Sequence, residues 1–272
     1  MQAEAGMARG GSETARRAVT IVIGLPLFLL VLREGGLVWT LLLGALALGA
    51  AREWVRLART AGYAPAPEVV LPGTVGLFAV ISREGSLVAG AVGALVMAAL
   101  LAQLGFARRP QALANAGVTV LGVLYSALFV WLDLLRNLPN GYAYTLLLVV
   151  AVWTADSAAM LGGRAFGRRL LAPAISPKKT WEGAFSGVFG ALLGALVVGV
   201  PLRLPVGVAL GVAAASTVAG LVGDLSESAL KRSSGVKDTG ALLPGHGGIL
   251  DRFDAMLFAA PVVYGLLRWW MA

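Results

Sequence analysis

Apolar residues run along the chain in long stretches separated by short charged segments. A membrane-crossing helix needs about 20 apolar residues, with a working range near 17–25. Nine stretches approach that length: roughly 18–32, 37–51, 68–82, 86–105, 112–132, 142–162, 183–202, 205–223 and 255–271. The first three are short and need their flanks to cross. Pro26 and Pro72 fall inside or at the edge of such stretches, which predicts kinks there. The pattern predicts an all-α polytopic membrane protein of about nine transmembrane helices. It divides the chain into a tail over 1–17, about five helices over 18–135, and about four over 142–272, with loops at 163–182 and 224–254. No internal repeat of fixed period is visible.

The charges test this count. Of the 22 Lys and Arg residues, 17 fall before the first stretch or in every second connection after it, and five fall on the alternate side. Cytoplasmic loops carry the excess of positive charge. The expectation is an N-terminus in the cytoplasm, a C-terminus outside, and a bacterial inner-membrane location. Arg16 and Arg17 precede about 15 apolar residues, as in a secretory signal. Arg33 and Glu34 follow instead of a small-residue cleavage site, so the first stretch reads as an uncleaved span.

Composition narrows the chemistry. Of the 272 residues, 58% are hydrophobic and 13% charged, and the mean hydropathy is +0.82. A disordered chain is excluded. With no cysteine, so are a disulfide scaffold, a thiol nucleophile and cysteine-ligated metals. One histidine, His246, excludes a multi-histidine metal site within the chain. The net charge of +8 is explained first by membrane topology, and nucleic acid is not an expected partner.

The polar chemistry gathers after about residue 150, and the first five stretches carry almost none. Asp156 sits within an apolar stretch, where a carboxylate costs roughly 2.5–3.5 kcal/mol at mid-helix. A sequence accepts that for a partner, an ion, a substrate or a structural hydrogen bond. The loop Ser176-Pro177-Lys178-Lys179-Thr180 offers lysines and hydroxyls to phosphate oxygens, and fits a topology-setting basic loop as well. If 224–232 is helical, Asp224 and Ser228 share a face and Lys231 follows one turn on. Asp251 and Asp254 share a face in the same way. Glycines around His246 free a tight loop whose amides suit an anion. In the predicted topology these carboxylates and cations meet on the cytoplasmic side. Magnesium takes one or two carboxylates plus substrate phosphates, so the residues point to magnesium-dependent phosphate chemistry at the inner leaflet.

The segment 228–254 carries Ser228, Leu230-Lys231-Arg232, Lys237-Asp238, Gly240, Leu243-Pro244, His246-Gly247-Gly248-Ile249 and Asp251-Arg252-Phe253-Asp254. It resembles the signature of the phosphatidate cytidylyltransferases, or CDP-diacylglycerol synthases, over all its 27 positions. The Asp156 segment and Ser176–Gly183 resemble that family too, and the resemblance is firm over about 150–260. It implies transfer of a cytidylyl group from CTP to phosphatidic acid, giving CDP-diacylglycerol and pyrophosphate, by a helical homodimer in the lipid bilayer. By matching position it implies Asp224 and Asp251 as ligands of Mg2+, with room for a second cation such as K+ in the site. Ser228, Lys231, Arg232 and Asp254 would lie in or beside it. Ser176, Lys178, Lys179 and Thr180 would line a substrate funnel, with Asp156, Lys237 and Arg252 as further binding residues. His246 would assist pyrophosphate departure or brace its own loop. The alternatives are a CTP-dependent kinase or cytidylyltransferase for another lipid, or a membrane transporter.

Overall fold

The computed structural model describes residues 22–83, 87–104, 111–240 and 247–272. The predicted tail over 1–17 and His246 lie outside these residues. Helix α1 covers 22–34. It is followed by α2 (Gly36–Thr60), α3 (Pro67–Arg83), α4 (Val88–Leu104), α5 (Ala112–Ala127), α6 (Val130–Arg136) and α7 (Gly141–Phe166). A two-stranded antiparallel hairpin, β1 (Leu170–Ala172) and β2 (Ser176–Thr180), leads into α8 (Trp181–Gly199), α9 (Val206–Ser233) and α10 (Leu250–Met271). Each apolar stretch is thus mainly helical over its described residues, and the fold is that of an all-α membrane protein. Five helical segments among those residues are long and apolar enough to cross a membrane, over Gly36–Thr60, Ala112–Arg136, Gly141–Phe166, Trp181–Gly199 and Val206–Ser233.

Three local features depart from the plain pattern. The fifth stretch is two helices, because i→i+3 bonds from Leu128, Trp131 and Leu132 replace the α-helical register between α5 and α6. The loop expected over 163–182 contains the hairpin. The loop expected over 224–254 is helical to Ser233 and again from Leu250. Apolarity ends near Gly223, but Leu225, Glu227, Leu230 and Lys231 are good helix formers, so α9 continues into polar sequence.

Packing sets where the helices lie. In a membrane, close van der Waals contact between small residues replaces the hydrophobic drive for helix pairing. Helix α8 presents Gly183, Gly187, Gly190 and Gly194 to α7. A Cβ at Gly187 would stand 3.1 Å from the Ala155 carbonyl oxygen, and one at Gly190 would meet the Ala158 Cβ. Helix α9 approaches α10 in the same way, with the Asp254 carbonyl 2.5 Å from a Cβ built at Gly223. The main core is larger in side-chain size: Trp39, Phe129, Leu132, Leu147, Leu148 and Leu257 are fully buried where α2, α6, α7 and α10 meet.

Candidate active site

The ends of α7 and α9, the starts of α8 and α10, and the hairpin gather at one end of the C-terminal helices. Thr180 ends β2 and caps α8, its Oγ1 accepting from the Gly183 amide at 3.1 Å. Glu182, in the first turn, accepts from the amides of Arg168 and Arg169 at 3.0 and 3.2 Å, which ties the hairpin base to α8. Arg232 Nε donates to the Ile175 carbonyl at 3.4 Å and ties the hairpin to the end of α9.

These ties frame a cavity of about 630 Å³ between α7, α8 and α9. Asp156, Asp224, Ser176, Lys178, Lys179 and Thr180 line it. Arg164, Ser216 and Thr217 also line it, and the rest of the wall is largely apolar, with Val152, Ala155, Ala184 and Leu221. The glycines that let α7 and α8 approach also keep this space open to side chains from the hairpin. Lys179 Nζ pairs with Asp224 Oδ2. Asp224 Oδ1 accepts from Ser228 Oγ at 3.4 Å, as the i,i+4 spacing predicts.

A second set of bonds builds the start of α10. Asp251 Oδ1 accepts from Lys231 Nζ at 2.8 Å. Its Oδ2 accepts from the Thr239 amide, the Thr239 hydroxyl and the Gly248 amide at 2.9, 2.9 and 2.8 Å. Asp251 precedes the apolar part of α10. Burial alone would raise its pKa, but the bonds from Lys231, Gly248 and Thr239 outweigh that and hold it at about 2. Lys231 is also 3.5 Å from Glu227 Oε1. Glu227 is buried and shares a side-chain hydrogen bond with Asp254. Asp254 Oδ1 accepts from the Ala255 amide at 2.7 Å.

Whether these residues suit a cation follows from their donors. Among the described residues no three His, Asp or Glu side chains converge as a ready cage. The donors present are all carboxylate oxygens, and magnesium typically takes only one or two of them beside substrate phosphates. Asp224 and Asp251 each keep one oxygen held by a single direct bond. Asp224 at the cavity and Asp251 at the start of α10 each offer an oxygen that suits a hard cation shared with a phosphate ligand.

Most sequence-predicted site residues thus come together, in two groups. The cavity gathers Asp156, Asp224, Ser176, Lys178, Lys179 and Thr180, with Ser228 behind Asp224. The α10 end gathers Lys231 and Asp251, with Asp254 one turn on. Arg232 braces the hairpin, and Lys237 and Arg252 are exposed nearby in sequence. Two residues escape the sequence reading. Glu227 was signalled by its i,i+4 spacing to Lys231. Glu53 of α2, buried 196 residues away in sequence, accepts from the amides of Ile249 and Leu250 at 2.9 and 3.0 Å. In sequence it stands between Arg52 and Trp54, near Arg56, and reads as part of a solvated helix end. The N-terminal helices therefore do carry polar chemistry.

Comparison with known proteins gives the family. The model of the cytidylyltransferase family matches residues 15–270. The phosphatidate cytidylyltransferase of Pseudomonas aeruginosa is 41% identical over 266 residues, covering 93% of this chain and 96% of the relative. That of Bacillus subtilis is 34% identical, covering 93% and 97%. That of Synechocystis is 32% identical over 282 residues, covering 92% and 94%. Both halves of the chain, and not only the motif-rich one, are matched, and the chain belongs to the cytidylyltransferase family of membrane-bound nucleotidyltransferases.

Proposed function

We propose that this chain is a phosphatidate cytidylyltransferase, converting CTP and phosphatidic acid to CDP-diacylglycerol and pyrophosphate. The observation that carries the reading is the cavity. It sets two lysines, an arginine, two carboxylates and four hydroxyls against a largely apolar wall between membrane helices, which suits a ligand with anionic phosphates and a lipid tail.

The chemistry needs no strong base. A phosphate monoester with a second pKa near 6 is largely ionised at pH 7. One of its oxygens forms a bond to the α-phosphorus of CTP, the bond from that phosphorus to the bridging oxygen breaks, and pyrophosphate leaves with the electron pair. What limits the reaction is bringing two anions together, so positioning and charge neutralisation are the protein's task. Lys178 and Lys179 offset phosphate charge at the cavity, and Lys231, Arg232 and Lys237 do so toward α10. Ser176, Thr180 and Ser228 donate hydroxyl hydrogen bonds. Asp156 adds a carboxylate to the cavity lining, Asp254 and Arg252 stand at the start of α10, and His246 assists pyrophosphate departure or braces its own loop. Magnesium, held by Asp224 and Asp251 with a second cation beside it, would neutralise the phosphates and polarise the α-phosphorus.

The same reading places nine spans in a bacterial inner membrane, with the N-terminus and the site facing the cytoplasm and the C-terminus outside. Two copies form a homodimer. The positive-charge asymmetry and the 17-residue length of α4, close to the lower limit for a span, support the count. The test is the fate of label in purified protein reconstituted in phosphatidic acid vesicles. Label from the α-phosphate of CTP entering the lipid supports cytidylyl transfer. Label from the γ-phosphate entering it identifies a CTP-dependent kinase, and movement of solute without either identifies a transporter.

A further inference from the structure

The N-terminal helices hold two fully buried carboxylates, and they are used differently. Asp133 of α6 is bonded within its own half: Thr40 Oγ1 donates to its Oδ1 at 2.7 Å. Glu53 of α2 reaches into the C-terminal half. Its Oε1 accepts from the Ile249 amide and its Oε2 from the Leu250 amide, the first amides of α10. Those amides have no partner within the helix, and the N-terminal end favours a negative charge. No residue at the start of α10 supplies a cap of its own, since Ile249 stands at the cap position.

The carboxylate also touches what surrounds Asp251. Thr239 Oγ1, which donates to Asp251 Oδ2 at 2.9 Å, lies 3.4 Å from Glu53 Oε2. A Cβ at Gly240 would stand 2.6 Å from Glu53 Oε1, and one at Gly248 2.5 Å from Oε2. Thr239 and Gly240 on one side and Gly248, Ile249 and Leu250 on the other therefore meet the carboxylate, with glycine at the two tightest contacts. Three of the four hydrogen bonds to Asp251 come from Thr239 and Gly248, the residues pressed against Glu53.

We infer that Glu53 is a positioning residue for the site: a cap supplied from the N-terminal half that sets α10 and the flanking segments so that Asp251 and Lys231 meet the phosphates. The inference rests on the cytidylyltransferase reading for its activity arm and on the fold alone for its exchange arm. Glu53→Gln puts an NH2 group against an amide N–H where an oxygen now accepts. Asp133→Asn makes the same change at a buried carboxylate with no bond to the site. Two readouts are compared in full-length purified protein. The first is hydrogen exchange of the Thr239 and Gly248 amides. The second is the magnesium concentration giving half-maximal pyrophosphate release from CTP and phosphatidic acid.

Loss of a supporting partner around a ligating carboxylate typically costs about 10–100-fold in metal affinity or activity. Glu53→Gln is expected to speed exchange at both amides by about tenfold and to raise half-saturating magnesium or lower kcat by at least as much. Asp133→Asn is expected to change neither, whatever its melting temperature. If Glu53→Gln does not fold, Gly240→Ala, which crowds the carboxylate without removing it, is read in the same two ways. Equal exchange in the Glu53 and Asp133 variants overturns the inference. So does faster exchange with wild-type magnesium dependence and kcat, which would leave Glu53 a helix cap only. Absent activity in the wild type, with the exchange difference present, refutes the cytidylyltransferase reading and leaves the cap standing.

Discussion

The two carboxylates at the centre of the site, Asp224 and Asp251, live in different surroundings. Asp224 faces the cavity with its side chain 33% exposed, paired to Lys179 and weakly to Ser228. Asp251 is 8% exposed and takes four hydrogen bonds from Lys231, Thr239 and Gly248. The first is placed by two helices and a hairpin that leave space between them. The second is placed by a segment folded around it and capped from α2. The cavity end can therefore exchange its bonds for those of a ligand at little structural cost. At the α10 end only the bond from Lys231 to Asp251 Oδ1 can be exchanged in this way, because the bonds from Thr239 and Gly248 also hold the chain.

The sharpest test of this difference is Asp224→Asn. It is expected to lower kcat by roughly 10²–10³-fold, the range seen when a group stabilising transition-state charge is lost, with an unchanged melting temperature in detergent. Asp251→Asn is expected to lower activity as far, and to destabilise the fold as well. Breaking a buried ion pair on one side costs about 3–5 kcal/mol, read as an earlier thermal unfolding transition. Equal melting temperatures for the two variants would break the comparison. Ala184→Leu narrows the apolar wall of the cavity. It is expected to raise the KM for phosphatidic acid several-fold while sparing that for CTP, on the order of the 1–3 kcal/mol that an overpacked site costs. The smallest effect belongs to Lys178→Ala. Lys178 is exposed at the cavity, so its loss is expected to raise KM by about two- to threefold at low salt, and less at high salt where exposed charges are screened. Initial rates at two ionic strengths check it.

The sequence made the helices legible because a membrane segment must be long, apolar and internally hydrogen-bonded. Each stretch is mainly helical over its described residues. Their ends were less legible. Hydropathy locates where apolarity stops, at Gly223, but a helix can continue in polar residues, and α9 carries Asp224, Glu227, Ser228 and Lys231 for that reason. The hairpin was hidden by its shortness and by Pro177, which suggested a turn within a loop. Within the site, local spacing was informative: Asp224 with Ser228 follows from helical periodicity. Pairs across elements were not legible from spacing, and neither Lys179 with Asp224 nor Lys231 with Asp251 has a periodic relation. Glu53 marks the limit. Its partners are backbone amides of a distant segment, and nothing in the residues around it records them.

The central claim is that this end of the molecule joins CTP to a lipid phosphate with the help of a hard cation. Pyrophosphate release by the purified protein, given CTP and phosphatidic acid together or singly and with magnesium or a chelator, tests it most directly. The account predicts release only when both substrates and magnesium are present, with CDP-diacylglycerol as the lipid product. Release from CTP alone, or undiminished release in the presence of chelator, would contradict it.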